Sequence, residues 1–306
     1  MAYLGALNRM VDLLREHARL SYENRKPRID DVVGRYVYVE LHGIEYRVYY
    51  EEAGQGIPLL CQHTAGSDGR QWRHLLADKD ITQNFRVIAW DLPYHGKSIP
   101  PDGIDWWKED YKLERHWFMR VVLELAQTLE VDRPVFMGCS MGGQLAIDLA
   151  FHHPAAFRAV VGIESGLDSG DFDASYFNHP RISNANKGAM MMSIMSPMSP
   201  EHRRRETAWC YAQGGPPVFR GDLNYYFEYD LNEKARQINT DDIPIYLLTG
   251  EYDWSVTPEM TKKLVAEVPG ATFKIMEKVG HFPMSENPDV FKGYLMPYLD
   301  EIRGIV

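Results

Sequence analysis

The sequence predicts an α/β fold with a mostly parallel central sheet flanked by helices. Six short apolar segments have the length and composition of buried strands, and they lie near residues 58–62, 86–90, 134–139, 158–163, 244–249 and 272–276. Helical patterns lie between or after them, near residues 69–78, 113–129, 142–152, 257–267 and 288–302. Such alternation is typical of a parallel sheet covered by helices on both faces.

Two further strands are predicted before the alternating region. Residues 35–41 and 45–50 each alternate apolar and polar side chains with a period of two, which is the pattern of a strand with one buried face. His42 and Gly43 separate the two segments. We therefore expect an antiparallel hairpin at this point.

A sharp turn is predicted where the strand at 134–139 meets the helix at 142–152. Its sequence is Gly138-Cys139-Ser140-Met141-Gly142. The two glycines allow strand and helix to approach closely, and the turn exposes the serine hydroxyl in a strained backbone conformation. Because a Gly-x-Ser-x-Gly segment also occurs as an ordinary glycine-rich turn, the assignment of a nucleophile depends on its partners.

Candidate partners for Ser140 follow the later strands. A serine hydroxyl needs a general base, and the base needs a third group that orients it and stabilises its positive charge. His281 is the candidate base and Asp253 the candidate acid, since each follows a predicted buried strand. Glu164, at the end of an earlier strand, is the rival acid.

The chain resembles the α/β-hydrolase superfamily over about residues 35–303. Its candidate residues follow one another in the order Ser, Asp, His that is typical of this superfamily, and two further motifs match. Asp91–Ser98 resembles the loop after the fourth strand of that fold. Gly280–Pro288 is similar to the histidine loop of esterases, lactonases and C–C bond hydrolases. The resemblance implies an α/β-hydrolase fold with a catalytic triad of Ser140, His281 and Asp253.

An oxyanion hole is also implied by the resemblance. It consists of backbone N–H groups aimed at the negative charge that develops on the substrate carbonyl oxygen. Met141, directly after the nucleophile, is expected to supply one N–H group, and Ala65 in the loop after the third strand the other. Thr64 stands where the family usually has glycine, so the second donor is either Ala65 or a neighbour.

The resemblance divides the chain into a core of residues 34–165 and 239–306 and a helical cap of residues 166–238. The cap is rich in methionine and aromatic residues, which favours an apolar substrate pocket over the serine. In the alternative interpretation, these side chains only pack the cap onto the core. The expected substrate contacts are His63, Met190, Met191, Met195, Trp209, Trp254 and Phe282.

Residues 1–33 are predicted to form an N-terminal helical extension. Its apolar residues recur at helical spacing and define one face: Leu4, Leu7, Val11, Leu14 and Ala18. We expect this face to pack either on the chain's own domain or on a second subunit in a homodimer.

Composition excludes several classes of partner. The 33 Lys and Arg against 43 Asp and Glu give a net charge of −10, which opposes nucleic acid binding. No apolar run approaches the ~18 residues of a membrane span. Polar residues interrupt the N-terminal segment before it could form the apolar core of a signal peptide. The three cysteines are widely spaced, which indicates reduced thiols that pack in the core rather than disulfides. A cytoplasmic location is therefore expected.

The resemblance implies hydrolysis of a carboxylic ester or lactone of a largely apolar small molecule through an acyl-serine intermediate. No cofactor is implied, and the histidines lack partners at metal-ligand spacing, so no metal is expected. The alternatives are hydrolysis of a C–C bond in a vinylogous diketone, amide hydrolysis and a non-catalytic ligand receptor. Epoxide hydrolysis is disfavoured because those relatives carry aspartate where this chain has Ser140.

Overall fold

The computed structural model describes residues 9–12, 15, 29–168, 186–215 and 218–305. The chain divides into two compact units, residues 1–31 and 32–306. In the first unit, residues 9–12 and 15 are helical, within the predicted extension. Most of its predicted apolar face lies outside the described residues, so its packing stays a prediction.

An eight-stranded sheet forms the centre of the second unit. Its strands are β1 Val33–Leu41, β2 Ile44–Ala53, β3 Ile57–Gln62, β4 Phe85–Trp90, β5 Val135–Cys139, β6 Ala159–Ile163, β7 Ile245–Gly250 and β8 Thr272–Met276. Their order is β1-β2-β4-β3-β5-β6-β7-β8. Strands β1 and β2 form the predicted antiparallel hairpin, β2 is antiparallel to β4, and all pairs from β4 to β8 are parallel.

Helices connect most of the parallel strands. They are α1 Arg73–Leu76, α2 Lys79–Thr82, α3 Arg115–Thr128, α4 Met141–His152, α5 Asn186–Met192, α6 Glu201–Ala212, α7 Val218–Asp222, α8 Asn224–Glu228, α9 Pro258–Glu267, α10 Pro283–Glu286 and α11 Pro288–Arg303. Four short 3₁₀ turns complete the described secondary structure: Gly69–Trp72, Trp106–Lys108, Pro154–Ala156 and Ala235–Gln237. None of the described helices is long and apolar enough to span a membrane.

Each face of the sheet has its own apolar core. Successive side chains of a strand point to opposite faces. Leu60 of β3 and Phe136 of β5 therefore pack with α3 and α4, whereas Leu59 and Met137 pack with α11. Burial on both faces explains why the central strands appear in the sequence as continuous apolar runs.

Helices α5 to α8 lie in the insertion between β6 and β7 that was predicted as the cap. Polar contacts tie them to the core helices. The Tyr225 hydroxyl on α8 donates to Asp148 Oδ2 on α4 at 2.7 Å. Arg73 Nε on α1 donates to Glu206 Oε1 on α6 at 2.6 Å. These two contacts anchor α6 and α8 of the insertion to core helices.

The turn from β5 into α4 is held by close backbone contacts. A Cβ atom at Gly138 would lie within 3.0 Å of the backbone of Gly142, which no side-chain rotation relieves. Ser140 between them has φ 56° and ψ −113°, outside the helical and strand regions. Its N–H donates to Ile163 O of β6 at 2.8 Å. Three elements thus fix the serine backbone.

We predict that Gly138→Ala destabilises the protein by about 3 kcal/mol. The added methyl group would overlap the backbone of Gly142, so strand β5 and helix α4 would have to move apart. Gly293→Ala is the matched control, since a Cβ there meets no atom within 4 Å in the middle of α11. The control should be neutral or stabilising by about 0.5–1 kcal/mol. Urea denaturation of both variants measures the difference, and equal free energies of unfolding would contradict the predicted constraint.

Candidate active site

Ser140, Asp253 and His281 come together at the carboxyl edge of the sheet, after β5, β7 and β8 respectively. His281 Nδ1 lies 2.6 Å from Asp253 Oδ2, and Ser140 and His281 line the same pocket. Because a carboxylate only accepts hydrogen bonds, Nδ1 carries the proton of a neutral imidazole. Nε2 is then left as the acceptor that a general base requires.

The carboxylate of Asp253 is buried but well supplied with donors. Its Oδ1 accepts from Ser255 N at 2.8 Å, from Ser255 Oγ at 2.7 Å and from Val256 N at 3.1 Å. Burial alone would raise the pKa of Asp253, but His281 and hydrogen bonds from Glu164 and Ser255 hold that pKa below its usual value. Asp253 is therefore ionised and can stabilise positive charge on His281.

Glu164, the rival acid, occupies a different position. Its Oε1 accepts a hydrogen bond from Gly250 N at 2.9 Å, whereas the carboxylate paired with His281 is that of Asp253. Burial and the negative charge of Asp253 raise the pKa of Glu164 well above its usual value. Glu164 thus lies beside Asp253 and is not the carboxylate that faces the imidazole.

The loop after β3 leaves the Ala65 N–H group for a ligand. Thr64 N donates to Gln71 Oε1 at 2.9 Å, and Gly66 N donates to Asp222 Oδ2 at 2.6 Å. No residue in the described parts of the chain accepts a hydrogen bond from Ala65 N, and Ala65 lines the pocket. Of the alternatives left open by the sequence, Ala65 is therefore the second donor that the geometry favours.

The Thr64 side chain has a structural role here. Its hydroxyl is hydrogen-bonded to the Tyr211 hydroxyl of the cap helix α6 and lies 3.1 Å from Gln71 Oε1. The Gln71 amide in turn donates to the Tyr211 hydroxyl at 3.3 Å. The threonine side chain thus links the loop to the cap, which a glycine could not do.

Met141 begins α4, directly after Ser140. The first N–H groups of a helix have no acceptor within the helix, and they carry the positive end of its dipole. The first intrahelical acceptor here is Ser140 O, which receives Gln144 N at 2.8 Å. The Met141 N–H is consequently placed to bind negative charge next to the serine.

Tyr226 of α8 contacts the serine directly. Its hydroxyl oxygen lies 2.8 Å from Ser140 Oγ, within hydrogen-bond distance. Burial raises the pKa of Tyr226, so its hydroxyl stays neutral near pH 7. In the sequence Tyr226 was only one of several cap aromatics, because no local pattern indicates which of them reaches the serine.

A pocket of about 260 Å³ opens over Ser140 and is mostly apolar. Cap side chains form one wall of the pocket: Met190, Met191, Ile194, Tyr211, Phe219, Leu223 and Tyr226. Loops and helices of the core form the other: Trp254, Val256, Met260 and Phe282. Four of the expected substrate contacts, Met190, Met191, Trp254 and Phe282, line this pocket.

Three other expected substrate contacts, His63, Met195 and Trp209, do not line this pocket. His63 is fully buried, with Nδ1 donating to Thr64 O at 2.8 Å and Nε2 accepting from Leu92 N at 3.1 Å. Met195 is buried in the apolar core. Trp209 is 60% exposed and packs beside the Arg70 guanidinium.

The described residues contain no cluster of three His, Cys, Asp or Glu side chains that could hold a metal ion. The three cysteines are buried free thiols: Cys61, Cys139 and Cys210.

Comparison with known proteins shows the family. Residues 59–292 match the Alpha/beta hydrolase family, and the chain belongs to that family. Bifunctional epoxide hydrolase 2 of Rattus norvegicus is 24% identical over an alignment of 322 positions. The alignment includes 88% of this chain. The chain spans only 56% of the length of that relative.

Solved structures share the fold over most of the chain. A thermophilic esterase from Thermogutta terrifontis has a TM-score of 0.74 and 17% identity, covering 88% of this chain and 99% of its own. Est816, described as an N-acyl homoserine lactone degrading enzyme, has a TM-score of 0.70 and 25% identity, covering 86% of this chain and 100% of its own.

We predict that acid weakens the fold through His63. Burial and the neighbouring His95 lower the pKa of His63 from 6.5 to about 4. The unfolded chain binds more protons between these values, so the free energy of unfolding falls as the pH drops through that window. His63 alone is expected to lower the free energy of unfolding by about 2 kcal/mol between pH 7 and pH 5.

Urea denaturation at pH 7, 6 and 5 tests this for the wild type and His63→Gln. The variant should lose stability overall but show a flatter dependence on pH, because glutamine does not titrate. Parallel stability curves for the two proteins would show that His63 does not carry the effect.

Proposed function

We propose that this α/β hydrolase cleaves a carboxylic ester or lactone of a largely apolar small molecule through an acyl-serine intermediate. The observation that supports this most strongly is the His281–Asp253 pair, at 2.6 Å, whose histidine lines the same apolar pocket as the strained Ser140. The esterase and lactone-degrading enzyme among the similar structures also support this class of substrate.

In the first half-reaction, Ser140 Oγ attacks the carbonyl carbon while His281 Nε2 accepts the Oγ proton. Asp253 stabilises the imidazolium that forms. The electron pair of the C=O bond moves to the carbonyl oxygen, which accepts hydrogen bonds from Ala65 N and Met141 N. The intermediate then expels the alcohol oxygen, which takes its proton from His281, and Ser140 is left acylated.

The second half-reaction uses the same groups on water. His281 Nε2 removes a proton from a water molecule as its oxygen attacks the acyl carbon. The same two N–H groups stabilise the second oxyanion. Collapse of this intermediate releases the carboxylic acid and returns the proton from His281 to Ser140 Oγ. A lactone would follow the same steps, with the alcohol and the acid remaining in one molecule.

The pocket favours an apolar acyl or alcohol group. Its walls carry methionine and aromatic side chains, which provide a large and adaptable apolar surface. Burial of substrate hydrocarbon there contributes roughly 25 cal/mol per Å². A panel of p-nitrophenyl esters, lactones and a dienoate diketone, assayed side by side, distinguishes the proposed reaction from C–C bond hydrolysis. Tight binding of a ligand with negligible turnover would instead indicate a receptor.

We expect Ser140→Ala to lower kcat by about 10⁴- to 10⁶-fold, because the nucleophile is lost while the fold has no need of the hydroxyl. Tyr226→Phe is the matched control: it removes the hydroxyl that contacts Ser140 Oγ but leaves the triad intact. Its kcat should fall by about tenfold, the equivalent of one hydrogen bond. Ester hydrolysis by the purified proteins measures both, and a folded Ser140→Ala protein with near-wild-type activity would remove Ser140 from the mechanism.

We expect the wild type to prefer longer acyl chains, with kcat/KM rising by about fourfold per buried CH₂ group, or ~0.8 kcal/mol. Met190→Ala should flatten this preference, because Met190 lines the pocket, and should barely change acetate hydrolysis. Trp209→Ala is the control, since that side chain is exposed outside the pocket. The proposal of a substrate-lining cap fails if acetate is the fastest substrate or if Met190→Ala slows every ester equally.

A further inference from the structure

Asp222, the last residue of the cap helix α7, has a fully buried carboxylate. A buried charge is costly unless it is paired and hydrogen-bonded. The two oxygens accept from three separate elements: Oδ2 from Gly66 N at 2.6 Å and from His95 Nε2 at 2.8 Å, and Oδ1 from Tyr111 Oη at 3.1 Å. The mechanism above uses none of these groups.

His95 is the positive partner of this carboxylate. Its Nδ1 lies 3.0 Å from Pro93 O and its Nε2 lies 2.8 Å from Asp222 Oδ2, so each ring nitrogen faces an acceptor. Only the imidazolium donates from both nitrogens. Burial alone would lower the pKa of His95, but Asp222 and the Pro93 carbonyl raise that pKa above its usual value. The cap and the loop after β4 thus share a buried ion pair.

The same carboxylate fixes the loop that carries Ala65. Gly66 has φ 69°, the left-handed region that favours glycine, and a Cβ there would lie within 3.0 Å of the Phe219 ring on α7. The loop is therefore pressed against the cap helix at Gly66. Its N–H donates to a charged acceptor, which makes a short and strong hydrogen bond.

Ala65 lies between two anchored peptide groups. The Thr64 N–H before it is held by Gln71, and the Gly66 N–H after it is held by Asp222. Because peptide groups are planar, the direction of the Ala65 N–H between them depends on few dihedral angles. Release of either anchor frees that direction.

From this arrangement we infer that Asp222 is a positioning residue: through Gly66 it aims the Ala65 N–H at the substrate oxyanion. The inference rests on the proposed function, because it assumes that Ala65 N binds the oxyanion. The cap would then orient a catalytic N–H group as well as form a wall of the pocket.

The cap has other anchors, so Asp222 can be tested without detaching it. Arg73 bonds to Glu206 at 2.6 Å, and Tyr225 bonds to Asp148 at 2.7 Å. In Asp222→Asn the side chain keeps its shape but loses its charge and one acceptor oxygen. Glu206→Gln is the matched control, because it weakens a cap anchor that makes no hydrogen bond to Thr64, Ala65 or Gly66.

We expect Asp222→Asn to lower kcat about 10- to 100-fold with KM nearly unchanged, somewhat less than the loss of a whole oxyanion donor. A trifluoromethyl ketone, which forms an oxyanion with Ser140, should bind more weakly by the same factor. The secondary alcohol with the same skeleton forms no oxyanion, and its Ki should not change. Glu206→Gln should leave kcat and both Ki values near those of the wild type.

The inference is overturned if Asp222→Asn keeps the wild-type kcat and ketone Ki, if it weakens ketone and alcohol equally, or if Glu206→Gln has the same effect. Should Asp222→Asn not fold, Asp222→Glu tests the same anchor, because it keeps the charge but displaces the carboxylate by one methylene. The same selective loss of ketone affinity is expected, and its absence in that folded variant also overturns the inference.

A signal that needs no activity separates the two proposals. In protein labelled with ¹⁵N-glycine, the Gly66 amide proton should resonate at low field in the wild type and shift upfield in Asp222→Asn. If the wild type hydrolyses no ester but this shift is seen, the proposed function fails while the Asp222 anchor stands. If the wild type hydrolyses esters and the Gly66 signal does not move, the anchor fails while the function stands.

Discussion

The strained backbone of Ser140 is the constraint on which the rest of the site depends. Strand β5 and helix α4 meet so closely that a Cβ at Gly138 would overlap the backbone of Gly142, and a Cβ at Gly142 would press on Gln62 of β3. Ser140 therefore stays at φ 56° and ψ −113°, outside the regular regions, and β6 holds its N–H. Backbone strain of this kind costs of order 1–3 kcal/mol and persists only where the surrounding structure determines it.

The cap is fastened to the loops on both sides of the serine through buried carboxyl groups. Glu286 accepts from Gly280 N at 2.6 Å, beside His281, and from Ser196 N of the cap at 2.9 Å. Asp222 of the cap accepts from Gly66 N in the loop that carries Ala65. Burial raises the pKa of Glu286 to about 7, while three backbone N–H groups oppose that rise. The geometry of the histidine and that of the Ala65 loop are thus both coupled to cap packing.

The sequence was sufficient for the parts of the site that depend on local patterns and chain order. Buried strands, glycines and the positions of Ser140 and His281 are all local signals. The role of a cap residue depends instead on which face of its helix meets the core. Two residues apart on α6, Trp209 and Tyr211 point about 200° apart, so one is exposed and the other lines the pocket. Asp222 and Tyr226 contact residues that are far away in the sequence, so no local spacing predicts these contacts.

The central claim, that Ser140 is a nucleophile activated by His281, is tested most directly by covalent labelling with an organophosphonate. Mass spectrometry of the intact protein and of its peptides measures the stoichiometry and the modified residue. We predict one adduct per chain on the peptide that contains Ser140 in the wild type, and labelling that is far slower in His281→Gln. Labelling at another residue, or equal rates in the two proteins, would contradict the claim.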